Sequence, residues 1–169
     1  MEILETIQSR RSVRAFEDRE VNDSLAAKIL EAGRWAPSGL NNQPWRFLML
    51  KDPTRREAVS KCTKYGGIIL AAPLCIAVYF DADSGYDRTK DVQAVGACIQ
   101  NMLLEAHSLG LGAVWLGEIL NRKEKVNEML GVGSTLELMA VLAIGFPKEK
   151  PKPSSRLKLE QLMIEDAGK

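Results

Sequence analysis

Apolar residues recur every three or four positions in five segments of the chain, and this spacing predicts five helices. They end near Ser9, Pro37, Thr63, Leu109 and Gly131. In the fourth, residues 91–109, the apolar side chains leave only a thin polar seam, so we expect this helix to be buried nearly all round. One sheet face cannot cover that much apolar surface in a small domain, which predicts that part of the helix meets a second subunit. Asn22 or Asp23 is expected to cap the second helix and Asp52 the third. Asn121 and Glu124 have the spacing of a capping box and predict the start of the last helix.

Apolar runs without helical spacing predict strands at residues 46–50, 74–80, 113–116 and 136–144. Residues 74–80 are apolar throughout, as is typical of a central strand that is covered on both faces. Residues 10–16 are expected to be extended, and the polar residues 81–90 to form a loop. Because helices and strands interleave irregularly, the pattern predicts a layered α+β domain rather than a regular doubly wound sheet.

Length and composition indicate one globular domain, residues 1–169, with 46% hydrophobic and 27% charged residues. The net charge of +1 provides no overall field that would attract nucleic acid or a membrane, so any anion site must be local. No apolar run approaches the roughly 18 residues that a membrane span needs. The N-terminus has acidic residues at helical spacing and does not resemble an export signal.

The three cysteines are far apart and form no C-x-x-C pair, which argues against a disulfide framework and against a thiolate metal site. We therefore expect a cytoplasmic protein. His107 is the only histidine, so a histidine-rich metal site is excluded. It lies near the end of a predicted helix, where the helix dipole favours the protonated imidazole without any catalytic role.

The composition changes sharply after Gly145, where prolines alternate with lysines. Such a segment, residues 146–169, is predicted to be an extended arm that cannot pack as core. The arm carries four apolar side chains near its end, those of Leu157, Leu159, Leu162 and Met163. These side chains need a surface to cover, and a partner subunit is one candidate.

Three arginines and a serine lie together in residues 10–14, R-R-S-V-R. If this stretch is extended, Arg10, Ser12 and Arg14 project from the same side. Guanidinium groups and a hydroxyl suit a phosphate, because they supply planar charged donors and positive charge. The competing interpretation is a solvated basic turn at a helix end, which this segment alone favours.

Residues 36–45, A-P-S-G-L-N-N-Q-P-W, combine a helix stop with closely spaced carboxamides. The pyrimidine edge of a flavin presents both acceptors and a donor, which Asn and Gln can match. Taken alone, the segment favours the competing interpretation, a plain loop built from turn-favouring residues.

Taken together, the two segments resemble the nitroreductase family, whose members carry R-R-S-x-R followed by P-S-x-x-N-x-Q-P-W. Asn101 begins a further match that continues through G-L-G-A-V-W-L-G at residues 110–117, and Gly145-Phe146-Pro147 followed by Arg156 resembles the family's C-terminal motif. These matches occur in order along nearly the whole chain. The resemblance implies a mixed β-sheet flanked by helices, with the C-terminal arm exchanged between the subunits of a homodimer and flavin mononucleotide (FMN) bound at the interface.

The resemblance also assigns roles to individual residues. It implies that Arg10, Ser12 and Arg156 hold the phosphate, that Arg14 and Asn41 contact the polar side of the flavin, and that Arg11 joins either group. Pro37 would line the site. Ser38 and Gly39 would line it from the other subunit. Trp115, Leu116 and Gly117 would lie against the ring, with the Gly117 amide near flavin N5.

The chemistry would then belong to the cofactor, so the protein needs no acid, nucleophile or metal of its own. The resemblance implies hydride transfer from NAD(P)H to a nitroaromatic, a quinone or a similar acceptor in alternating half-reactions. The alternatives are flavin fragmentation or reductive dehalogenation, a flavin carrier without enzymatic activity, and a phosphate or nucleic-acid module built on residues 10–14. The near-neutral charge disfavours the last.

Overall fold

A computed structural model of the chain describes residues 2–164. This part contains six α-helices: α1 Ile3–Ser9, α2 Asp23–Arg34, α3 Pro53–Ser60, α4 Gly66–Ala71, α5 Arg88–Ser108 and α6 Lys123–Leu130. Its strands are β1 Trp45–Met49, β2 Leu74–Asp81, β3 Gly112–Leu116 and β4 Leu136–Gly145. The five helices and four strands expected from the sequence are present, and the short α4 is an addition.

The sheet has the strand order β1-β2-β4-β3, and each neighbouring pair of these strands is antiparallel. The mixed character that we expected is limited, within residues 2–164, to one isolated parallel bridge between Ser12 and Ala113. Every residue of β2 is buried, as predicted for a central strand. The chain therefore has the predicted α+β architecture, and the bridge fixes the segment 10–14 beside the start of β3.

Helices cover the two faces of the sheet. Alternate residues of β2 belong to different apolar clusters, with Ile76 and Val78 packed on the side of α2 and α5, and Cys75 and Ala77 on the opposite side. This alternation follows from the two-residue repeat of a strand. The two central strands, β2 and β4, are buried along most of their length, because helices cover both of their faces.

Helix α5 packs mainly against α2 and the sheet, but its outer surface is not fully covered. Gln93 and Gln100 are exposed and Leu104 is half-buried, so the prediction of burial nearly all round is too strong for a single chain. Gly33 of α2 permits the close approach of the two helices, because a Cβ there would lie 2.7 Å from the side chain of Met102.

Two of the three helix caps predicted from the sequence are confirmed. Asn22 accepts a hydrogen bond from the Leu25 amide and begins α2, and Asp52 caps α3 in the same manner. The predicted capping box at Asn121 is wrong. Asn121 belongs to a 3-10 turn, Glu118–Arg122, that continues directly from β3, and α6 begins only at Lys123 without a side-chain cap.

The C-terminal arm leaves β4 beside the segment 10–16. Lys148 donates its amide to the Ala15 carbonyl, and Pro147 forms a bridge with Phe16. Beyond this point the side chains from Leu157 to Ile164 are exposed. Residues 165–169 lie outside the described residues, and exchange of the arm between subunits stays a prediction. No helix in the described part of the chain has both the length and the apolar character needed to span a membrane.

Candidate functional site

A basic cleft of about 490 Å³ lies between the segment 10–15 and the arm. It gathers Arg10, Ser12 and Arg156, which were predicted to hold the phosphate, together with Arg11 and with Arg14, which was predicted to contact the flavin. The arm brings three further charged side chains that the sequence analysis did not single out, namely Glu149, Lys150 and Lys152. Residues separated by about 140 positions in sequence thus line one cleft.

Register fixes the orientation of the basic segment. The Val13 amide donates to the Ala113 carbonyl, which joins residues 12 and 13 to β3. Gly112 makes this approach possible, because a Cβ at this position would lie 2.6 Å from the Val13 side chain. Val13 is buried, whereas Ser12 and Arg14 on either side of it are exposed. The alternation of an extended chain therefore presents Ser12 and Arg14 to the cleft.

The guanidinium groups of the cleft have no carboxylate partner among residues 2–164. None of the ion pairs in this part of the chain includes Arg10, Arg11, Arg14 or Arg156. Burial lowers the pKa of Arg10, and the nearby charges of Arg156 and Arg11 lower it further. Like charges held together in this way lack a counter-charge, which is the condition that an anionic group such as a phosphate would relieve.

Arg11 is only half-buried and its guanidinium turns back toward α1. Its Nη1 donates to the carbonyls of Gln8 and Arg10 at 2.6 and 2.8 Å. These carbonyls lie at the C-terminal end of the helix, where a cation is favourable. Arg11 therefore stabilises the end of α1, and its charge adds to the potential of the cleft.

His107 lies next to the basic segment rather than in an isolated position. Its Nε2 is 2.7 Å from Ser9 Oγ, and the same hydroxyl lies 2.7 Å from the Glu5 carbonyl. Burial lowers the pKa of His107, and the charges of Arg10 and Arg11 lower it further. The expectation that the helix dipole favours its protonated form is wrong, because the neighbouring guanidinium groups oppose a further positive charge.

A tight turn follows α2 and carries the predicted residues Pro37, Ser38, Gly39 and Asn41. Leu40, Asn41 and Gln43 have φ values of 56°, 54° and 47°, which place three residues other than glycine in the left-handed region. This conformation is common for Asn but strained for Leu. Leu40 is also 85% exposed, so burial of its side chain does not compensate for the strain. Strain held in this way is typical of functional segments.

A buried network holds this turn in place. The Asn42 side chain donates to Asp91 Oδ1 at 2.7 Å, and the amides of Tyr86 and Asp87 donate to Asp91 Oδ2. Burial alone would raise the pKa of Asp91, but these hydrogen bonds outweigh it and hold the pKa below its usual value. The contact between Asn42 and Asp91 was not predicted, because nothing in the sequence indicates that these two residues meet across 49 positions.

The third group of predicted residues lies where β3 ends. Trp115 is 41% exposed, Leu116 is buried and Gly117 is exposed. The next residue, Glu118, accepts hydrogen bonds from the Thr63 hydroxyl at 2.5 Å and the Lys64 amide at 3.2 Å. Glu118 thereby connects the end of β3 to the segment before α4, and this connection was not foreseen because α4 itself was not predicted.

The basic residues, the turn at 37–41 and the residues 115–117 do not all line one cleft in the described part of the chain. Neither the turn at 37–41 nor the residues 115–117 line the basic cleft. The structure thus brings the residues predicted for the phosphate together with Arg14, whereas the other residues predicted to contact the flavin do not line this cleft. No cluster of three or more potential metal ligands occurs among the described residues.

Comparisons with known proteins show which family the chain resembles. The model of the nitroreductase family matches residues 7–65 and 50–146. A crystal structure of a provisionally named nitroreductase from Desulfovibrio desulfuricans in complex with FMN is 44% identical, with a TM-score of 0.94 over 100% of this chain and 99% of that chain. A provisionally named NADH dehydrogenase/NAD(P)H nitroreductase of Methanothermobacter thermautotrophicus is 35% identical over 153 residues, which is 89% of this chain and 80% of that relative. A more distant relative, the 5,6-dimethylbenzimidazole synthase of Rhodospirillum rubrum, is 29% identical over 173 residues, 85% of this chain and 81% of its own length.

The fold is an α+β domain, and its basic cleft gathers cationic side chains from the segment 10–15 and the C-terminal arm. The chain belongs to the nitroreductase family.

Proposed function

We propose that this protein is an FMN-dependent oxidoreductase that transfers hydride from NAD(P)H to an oxidised small molecule such as a nitroaromatic or a quinone. The observation that carries the proposal is the convergence of Arg10, Ser12, Arg14 and Arg156 on one cleft without a carboxylate partner. A homologue of 44% identity and the same fold is described in complex with FMN. Relatives named as NAD(P)H oxidoreductases support the choice of reductant.

The residues of the cleft fit the phosphate of FMN. Arg10, Arg156 and the hydroxyl of Ser12 bind it, because planar charged donors and a hydroxyl match its oxygens. Arg14 lies at the same cleft and contacts the polar edge of the flavin, where a positive charge stabilises the reduced state. Asn41, at the tip of the strained turn, supplies a carboxamide that matches the pyrimidine edge.

The end of β3 supplies the surface for the ring. Trp115 and Leu116 would lie against it, and the amide of the exposed residue Gly117 would lie near N5. FMN would supply the hydride-transfer chemistry when bound here, and the protein would contribute binding, orientation and electrostatics. The described part of the chain accordingly needs no nucleophile of its own.

A homodimer completes the site. Pro37, Ser38 and Gly39 do not line the basic cleft of their own chain, which agrees with a role in the site of the second subunit. Exposed apolar side chains on α1 and on the arm, such as Ile3 at 81% and Leu159 at 68%, provide surfaces that a partner would cover. Size-exclusion chromatography with light scattering should give twice the chain mass, and a monomer that binds FMN tightly would contradict this part of the proposal.

The absorption spectrum of the purified protein tests the function directly. We expect a bound yellow cofactor whose absorption disappears when NADH or NADPH is added without oxygen and returns when a quinone is added. Parallel lines in initial-rate plots would support alternating half-reactions. A colourless protein that does not bind added FMN would refute the proposal, and a yellow protein that neither coenzyme bleaches would indicate a flavin carrier.

Flavin fragmentation is a second candidate because of the resemblance to a 5,6-dimethylbenzimidazole synthase. It predicts that the flavin absorption is lost irreversibly during incubation with reductant and oxygen. Full recovery of the oxidised spectrum over many turnovers would exclude it.

A further inference from the structure

The basic cleft contains more positive charge than one phosphate requires. Six cationic side chains line it together with a single carboxylate, Glu149, although the whole chain has a net charge of only +1. A phosphate monoester brings roughly −1.5 to −2 charges at neutral pH. A bound FMN phosphate would therefore leave about three positive charges in the cleft without compensation.

Two of the surplus charges are Lys150 and Lys152. Both line the cleft, and neither forms an ion pair with a carboxylate among residues 2–164. They differ in this respect from Lys51 and Lys123, which pair with Asp23 and Glu137. A free ammonium group is a compact point charge that binds phosphate without the geometric demands of a guanidinium.

The size of the cleft agrees with this surplus. A volume of about 490 Å³ lies within the range of roughly 300 to 1,000 Å³ that is typical of sites for small organic ligands. Arg10, Ser12 and Arg156 account for one phosphate. The lysines of the arm therefore remain available to a second anionic group that approaches the same cleft.

We propose that Lys150 and Lys152 form a second phosphate subsite in the basic cleft and bind a phosphate of the nicotinamide coenzyme. The inference rests on the proposed function, because it takes the nicotinamide coenzyme as the reductant of FMN bound in the same cleft. Two phosphates of the coenzyme have the required chemistry. The 2′-phosphate occurs in NADP(H) alone, and the pyrophosphate occurs in both coenzymes.

The test compares wild-type protein with the double variant Lys150→Gln/Lys152→Gln, both loaded with FMN. Lys148→Gln is the matched control, because Lys148 lies on the same arm but does not line the cleft. Calorimetric titration with NADP⁺ and with NAD⁺ measures binding without turnover. We expect the double variant to bind NADP⁺ roughly three- to tenfold more weakly, as for the loss of exposed charge pairs.

The outcomes separate the two phosphates. Weaker binding of NADP⁺ alone supports a site for the 2′-phosphate, and equal weakening for NADP⁺ and NAD⁺ supports a site for the pyrophosphate. Unchanged binding of both would overturn the proposal. So would an equal loss of FMN affinity, because the lysines would then belong to the FMN phosphate site. If wild-type protein binds no FMN, the proposed function itself fails, which is a different result from an FMN-loaded protein that is indifferent to the lysine substitutions.

Discussion

Arg156 provides the sharpest test of the basic cleft, because its effects on binding and on stability should differ. Its Nη1 donates to Ser154 Oγ at 3.0 Å and to the Ser155 carbonyl at 2.8 Å, so among residues 2–164 its side chain bonds only to its own neighbours. Its charge lowers the pKa of Arg10 across the cleft. Arg156→Gln therefore removes a phosphate donor and relieves repulsion in the protein without FMN.

The magnitude follows from the value of a hydrogen bond to a charged group, about 1.5 to 3 kcal/mol. Since each 1.4 kcal/mol is a factor of ten, the Kd for FMN should rise by roughly 10- to 100-fold. The Tm of the FMN-free protein should stay the same or rise slightly, because no packing is lost. Quenching of flavin fluorescence measures the Kd, and circular dichroism measures the Tm.

Riboflavin, which lacks the phosphate, is the control ligand. Wild-type protein and Arg156→Gln should bind it with the same affinity, and Lys148→Gln should bind both ligands as the wild type does. An equal loss of affinity for riboflavin and FMN would show that Arg156 acts on the conformation of the arm and not on the phosphate. A lower Tm without FMN would contradict the inference that removing the Arg156 charge relieves repulsion in the FMN-free protein.

Three further predictions concern other parts of the site. Asp91→Asn should lower the free energy of unfolding by about 2 to 3 kcal/mol at neutral pH, since a buried carboxylate with several donors is lost. Because the pKa of Asp91 lies below its usual value near 3.9, the carboxylate stabilises the fold above that pH, and this contribution disappears as the pH falls through the folded-state pKa. The difference in Tm between Asp91→Asn and wild type should therefore narrow below about pH 4. A difference in Tm that stays constant with pH would refute this reasoning. Gly112→Ala should destabilise the protein by about 1 to 3 kcal/mol and weaken FMN binding, because the new Cβ displaces Val13. Gly133→Ala is the control, because the space around its Cβ is open, and it should change neither stability nor FMN affinity. Thermal melts measure the stability and FMN titrations measure the affinity. Arg14→Ala should lower the midpoint potential of bound flavin in a spectroelectrochemical titration, and an unchanged potential would exclude its role in stabilising the reduced state.

Local sequence patterns predicted most of the secondary structure because the signals are local. The all-apolar β2 could be identified as a central strand, and Asn22 and Asp52 as caps, from neighbouring residues alone. The six residues of α4 are too few to show a periodic pattern and begin with two glycines, so they were missed. The capping box at Asn121 failed because a 3-10 turn from β3 already occupied those residues.

The sequence by itself determined which chemical groups are present: the basic segment at residues 10–14, the carboxamides at residues 41–43 and the lysine-rich arm. Only the tertiary structure decided which of them meet. The antiparallel path of β4 returns the arm to the segment 10–15, so Arg156 faces Arg10, while the strained turn is held elsewhere by Asp91. Such encounters depend on strand order and packing across the whole chain, and no local pattern encodes them.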